Sequence, residues 1–119
     1  WMSLRDALLN DEVVVMQGDR AVHGQRSRVV PFLHGHLRLP TGPVRLARLT
    51  GSPIIPVFTP RLAQGGYTVL LGTPIEPSVD GGDADLFALA RAIERVVAEY
   101  PEQWLAFEPV FDEDAPHAP

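Results

Sequence analysis

Residues 39–58 read LPTGPVRLARLTGSPIIPVF, and the order of signals in them sets the fold class. Thr41 or Gly42 can cap a helix, and Pro43 suits its first turn, where a missing N–H costs nothing. Val44, Leu46, Ala47 and Leu49 carry the helix forward, and Gly51 is the residue to end it. Ile54-Ile55-Pro56-Val57-Phe58 then reads as an apolar strand, with Pro56 marking an edge, a bulge or the strand's end. A helix handing directly onto such a strand is an α/β signal.

Further along the chain, Gly65-Gly66 predicts a turn and Tyr67-Thr68-Val69-Leu70-Leu71 a further strand, close enough to the preceding one for an antiparallel hairpin. Residues 72–82 are a Pro/Gly-rich connection. Leu86, Leu89, Ile93, Val96, Val97 and Tyr100 then recur at the three-and-four spacing of an amphipathic helix over about 83–100. Asp83 or Asp85 would cap it and Pro101 stop it. Towards the N-terminus, Leu4, Leu8 and Leu9 share a helical face over residues 3–9, and Asn10-Asp11 breaks that helix. Val13-Val14-Val15-Met16 has the continuous apolar pattern of a strand buried on both faces. Residues 21–40, rich in His, Gly and Arg, read as a long loop with one strand near Val29-Val30-Pro31-Phe32. The expectation is an α/β fold: a central mixed sheet flanked by helices, one domain over 1–111, and a disordered tail at 112–119.

With 119 residues, 45% of them hydrophobic, the chain can build one small core. It has no cysteine, which removes disulfides, thiolate catalysis and cysteine-based zinc sites. The net charge is −5, and all ten basic residues are arginine. That acidity argues against nucleic acid as a partner, because phosphate contacts want a basic face. No apolar run approaches the roughly 20 residues of a membrane span. The chain opens Trp1-Met2 and reads as a piece excised from a longer polypeptide.

Three blocks, in order, carry a resemblance. The first is Val13 to Arg20, an apolar run ending in Asp19-Arg20. The second is Val30-Pro31-Phe32, then Leu39-Pro40-Thr41-Gly42-Pro43, Leu46-Ala47, Thr50-Gly51 and Ile54 to Phe58. The third is Tyr100-Pro101-Glu102-Gln103-Trp104-Leu105. Together, over about residues 3–111, they resemble the bacterial lipid A biosynthesis acyltransferases and the similar phosphatidylinositol mannoside acyltransferases, within the lysophospholipid acyltransferase superfamily. The matched part is the C-terminal half of the family's α/β domain.

The resemblance implies transfer of a fatty acyl group from acyl-CoA or acyl-carrier protein to a hydroxyl of a membrane lipid or glycolipid, at the cytoplasmic face of the inner membrane, with no further cofactor and no metal. The family signature is His, four residues, then Asp or Glu, and it lies upstream of all three blocks. A lipid hydroxyl is a poor nucleophile, so a histidine takes its proton while a carboxylate orients the ring. Here the residue five beyond His23 is Arg28, beyond His34 Leu39, and beyond His36 Thr41, while His117 lies too near the end. The chain on its own is therefore expected not to catalyse, and membrane contact is expected through polypeptide outside it. The family's Phe-Phe-Gly is also altered, to Phe32-Leu33-His34-Gly35. A half-domain is expected to leave apolar faces and sheet edges uncovered. The alternative is a non-catalytic remnant that binds lipid or a partner. A soluble domain with a nucleotide or metal site would be a third reading, but the chain has no glycine-rich phosphate loop after a strand.

Asp19 and Arg20 follow the first apolar run, where open α/β sheets build their sites. They either line the pocket, with Arg20 holding an acidic head group, or form a local ion pair. His23, Phe32, Arg38, Thr41 and Gly42 are the candidate substrate contacts. Thr41-Gly42-Pro43 either presents helix N–H groups to an anion or simply caps the helix. His34 and His36 lack a third ligand at a recognised spacing. Arg26, Arg28, Arg38, Arg45 and Arg48 make residues 20–48 locally basic, either to meet anionic lipid or an acidic donor protein, or as ordinary solvated arginine. Trp104 and Phe107 read as core anchors rather than acyl-chain contacts.

Overall fold

The computed structural model describes residues 1–104. Leu105, Phe107 and the 112–119 tail lie outside them. The described chain runs α1 (Met2–Leu9), β1 (Ser27–Phe32), β2 (Gly35–Pro40), α2 (Gly42–Thr50), β3 (Val57–Phe58), β4 (Leu70–Leu71) and α3 (Ala84–Glu99), with a 3-10 turn at Pro101–Gln103. The mixture of helices and strands is α/β. The strands expected in one central mixed sheet form two antiparallel pairs instead, β1 with β2 and β3 with β4.

The core lies between the β1–β2 hairpin and α3. Alternation sends Val30 and Phe32 of β1 and Leu37 and Leu39 of β2 to one face, all at most 1% exposed. That face packs on Leu86, Leu89, Ala90, Ile93 and Val97 of α3, the three-and-four stripe read from the sequence, with Val44 of α2 and Ile75 beside them. A two-stranded hairpin alone is marginal in water, so this burial is what holds it. Its turn is tight: Leu33 takes a positive φ of 51°, and its N–H donates to the Glu94 carboxylate of α3 at 2.8 Å. The segment expected as a loop, residues 35–40, is thus a strand. His36 and Arg38 alternate outward against Leu37 and Leu39, and their polarity hid the period of two.

Helix α2 begins at Gly42 with Pro43 in its first turn and ends at Gly51, whose φ of 72° is the left-handed cap conformation. Thr41 is its N-cap residue, but the Thr41 side chain makes no capping bond; its hydroxyl and N–H both donate to the Arg26 carbonyl. Helix α1 packs on α2 and has no buried residue.

The second hairpin has the expected antiparallel pairing and turn, but its strands are only two residues each, shorter than the Ile54–Phe58 and Tyr67–Leu71 runs expected. Val57 pairs with Leu71 and Phe58 with Leu70, a further bridge joins Arg61 to Tyr67, and Gly65 and Gly66 take positive φ in the turn. Phe58 and Ile54 pack towards the core. The opposite face, with Ile55, Val57, Tyr67, Val69 and Leu71, is exposed.

The Tyr100–Trp104 block ties both hairpins to α3. The Gln103 amide donates to the Arg61 carbonyl at 2.8 Å and accepts from the Arg61 N–H at 2.7 Å. The Trp104 ring lies 5.5 Å from that of Phe32. Trp104 is the core anchor expected of it, yet its buried indole N–H has no hydrogen-bond partner among the described residues.

The run Val13–Met16 is not a strand. It has no ladder partner among the described residues, and Val13 and Val15 are about nine-tenths exposed. A β-branched run acquires strand structure only from neighbours that pair with it and cover its faces, and nothing here does so.

Candidate functional site

The chain from Met16 to Arg20 passes the N-terminal end of α2. A side chain added at Gly18 would meet Pro43 at 3.6 Å and Leu89 at 3.9 Å, and one added at Gly42 would meet Met16 at 3.6 Å and Trp1 at 3.9 Å. Four of the seven residues singled out from sequence, Asp19, Arg20, Thr41 and Gly42, therefore belong to two segments that touch. The Arg20 guanidinium donates to one oxygen of Asp19 at 3.1 and 2.9 Å, and the two side chains are half-buried. The Arg45 guanidinium lies 5.9 Å from the Trp1 ring centre, in cation–π range, on the next turn of α2.

Such an arrangement can hold an anion. Pro43 has no N–H to offer and the Thr41 hydroxyl is committed to Arg26, so backbone donors at this helix end are few. The charge comes from Arg20, kept in place by Asp19. A planar guanidinium is the side chain suited to pairing with a carboxylate or phosphate.

The other three residues lie elsewhere. Phe32 is fully buried against Trp104, so its contacts are with the core. Arg38 stands on the solvent face of β2 opposite Val29. His23 is exposed in the loop before β1. No histidine makes a hydrogen bond or ion pair with a carboxylate among the described residues, and no group of three potential metal ligands gathers there.

A charged cluster that the sequence reading did not single out joins α2, α3 and β1. The Asp85 side chain is fully buried. It accepts from Arg48 at 2.8 and 2.5 Å, from the Ser78 N–H at 2.9 Å and from the Leu86 N–H at 2.8 Å. Burial alone would raise the Asp85 carboxyl; the Arg48 guanidinium and the two backbone donors outweigh it and hold the group at about 2. The same hydrogen bonding raises Arg48 above its ordinary value. Asp83, the N-cap residue of α3, makes no capping bond and pairs with Arg28 at 2.5 Å. Of the two aspartates expected to cap the helix, it is Asp85 that takes up one of its N–H groups. The available signal was the spacing: Asp85, Leu89, Ile93 and Val97 recur every four residues, so the aspartate lies on the core stripe. The cluster is structural, since every oxygen of Asp85 is already engaged.

The chain belongs to the bacterial lipid A biosynthesis acyltransferase family, whose model matches residues 2–112. No curated protein and no solved structure matches the chain. The family is membrane-associated and transfers acyl groups. Among the described residues no helix is long and apolar enough to cross a membrane.

Proposed function

We propose that this chain forms one wall of a lipid acyltransferase site and that the proton-accepting histidine is supplied by polypeptide outside it. In the full reaction a hydroxyl oxygen of a lipid A-type or phosphatidylinositol mannoside-type acceptor attacks the thioester carbonyl of acyl-CoA or acyl-carrier protein. The histidine takes the hydroxyl proton, the carbon–sulfur bond breaks, and the thiol leaves with a proton returned from the imidazolium. Arg20, oriented by Asp19, binds the acceptor's acidic head group, and the Thr41–Gly42 corner shapes the space beside it. The reaction takes place at the cytoplasmic face of the inner membrane.

The observation that carries this reading is the family match over residues 2–112, in a chain whose three described histidines have no carboxylate partner. The test is direct. The purified 119-residue chain, given labelled acyl-CoA or acyl-carrier protein and lipid acceptors, transfers no label above the uncatalysed rate. In a polypeptide that also carries the His-x4-Asp/Glu pair, Arg20→Ala raises KM for the acidic acceptor about tenfold or more, the loss of one charge-assisted contact. Robust turnover by the chain alone defeats the proposal.

A further inference from the structure

Helix α2 carries the Thr41–Gly42 corner at its start, and its far end is fastened to α3. In its last turn Arg48 donates to both oxygens of the Asp85 carboxylate, at 2.8 and 2.5 Å, and to the Gly82 carbonyl just before α3 at 2.9 Å. Among the described residues these are the hydrogen bonds that join the two helices. The other anchors of α2 are the buried Val44, Leu46 and Ala47, and aliphatic burial is non-directional. The two-pronged contact of a planar guanidinium has a fixed direction, so it sets how α2 lies along α3.

Asp85 is itself held from three sides. Its carboxylate accepts from the Ser78 and Leu86 N–H groups, and its own N–H donates to the Ser78 hydroxyl at 3.2 Å. One turn further along α3 is Leu89. A side chain at Gly18 would meet that leucine at 3.9 Å and Pro43 of α2 at 3.6 Å. The contacts therefore close on themselves: from Gly18 to Pro43, along α2 to Arg48, across to Asp85, along α3 to Leu89, and back to Gly18. Asp19 and Arg20 follow directly on Gly18.

We infer that Arg48 and Asp85 are positioning residues for the Asp19–Arg20 pair, acting on it through α2. Both oxygens of Asp85 are engaged within the protein, so its influence on the site passes through Arg48 and the helix. The nine residues of α2 make an arm about 13 Å long. Freeing the far end lets Pro43 move under Gly18, and a displacement of about 1 Å at a binding group is enough to weaken its contact severely.

The kinetic consequence rests on the acyl-transfer reading above; the coupling along α2 does not. In a polypeptide that also carries the His-x4-Asp/Glu pair, Asp85→Asn raises KM for the acidic acceptor about tenfold and leaves kcat and the KM for the acyl donor within about twofold. The rates are taken at a temperature where circular dichroism shows the variant folded. A cluster that merely stabilised the fold would do the reverse, since fewer folded molecules lower kcat and leave KM alone. Arg48→Lys keeps the charge without the two-pronged contact and gives a smaller change of the same kind should Asp85→Asn unfold. In the 119-residue chain, either substitution shifts the Arg20 and Gly42 amide resonances. Gln103→Ala, which breaks a tie remote from α2, leaves both in place. The proposal fails if the folded variants lose kcat at unchanged KM, or if the Arg20 and Gly42 amides keep their positions. A wild-type polypeptide without turnover removes the acyl-transfer reading instead, and the amide resonances then decide the coupling alone.

Discussion

Replacing Asp85 with Asn tests the charged cluster at its centre. The side chains have nearly the same shape, so no cavity opens and the change is electrostatic. In the folded chain the Asp85 carboxyl titrates at about 2 instead of 3.8. That depression is worth about 2 kcal/mol of stability, fully present above the unfolded value and lost as pH falls from about 3.8 towards 2. At neutral pH the substitution also leaves Arg48, whose side chain is 27% exposed, without its main partner. Asp83 at 3.7 Å and the Gly82 carbonyl at 2.9 Å compensate in part. The cost therefore falls near the lower end for breaking a buried pair, ~3 kcal/mol, against a total of 5–15 kcal/mol for a typical domain. Urea melts at pH 7 measure the cost, and melts from pH 6 down to pH 2 measure the slope. Asp85→Asn should be less stable than wild type at pH 7 and flatter towards acid, so that the two curves converge. A cost under about 1 kcal/mol, or an unchanged acid-side slope, would refute this account of the cluster.

Trp104→Phe keeps a ring against Phe32 and removes a buried donor that has no partner among the described residues; thermal melts should show it neutral or slightly stabilising, in contrast to the usual cost of trimming a tryptophan. Gly51→Ala puts a Cβ on a residue with φ of 72° and should lower stability by about 1 kcal/mol, read as a lower urea midpoint with unchanged slope. Phe32→Ala opens the core and should cost about 3–5 kcal/mol, enough to unfold a marginal domain by circular dichroism at 37 °C. Gln103→Ala frees both backbone groups of Arg61, and amide exchange near Arg61 and Tyr67 should accelerate while exchange in the middle of α3 stays unchanged.

The elements legible in the sequence are those whose signals are local. Pro43 and Gly51 bracket α2, the three-and-four stripe defines α3, and Gly65-Gly66 sets the β3–β4 turn. What was misread depended on partners. The Val13–Met16 run has strand composition but no strand beside it, and composition cannot supply one. Residues 35–40 hide their strand because His36 and Arg38 interrupt the apolar pattern, although Leu37 and Leu39 keep the strand period. Of the candidate site, the Asp19–Arg20 pair and the Thr41–Gly42 corner come from separate stretches that the fold brings into contact. Phe32, a candidate substrate contact from sequence, alternates with Val30 and lies in the core. Asp85 has the position of a cap, as aspartate at a helix start usually does, yet it also falls on the apolar stripe, which is what buries it.

Both turns of the described sheets are latched by side chains made late in synthesis. Glu94 holds the backbone at Leu33, and Gln103 holds it at Arg61, across 61 and 42 residues of chain. A nascent polypeptide emerging from the ribosome forms either hairpin only fleetingly until α3 and the Gln103 turn have cleared the exit tunnel. Until then the aliphatic side chains of the first hairpin would stay open to chaperones or to the lipid the finished enzyme serves. Emergence of the stretch from α3 through Gln103 is thus the event that commits both hairpins, and a stop codon placed just before Gln103 should yield a product that is cleared rather than one that is merely shorter.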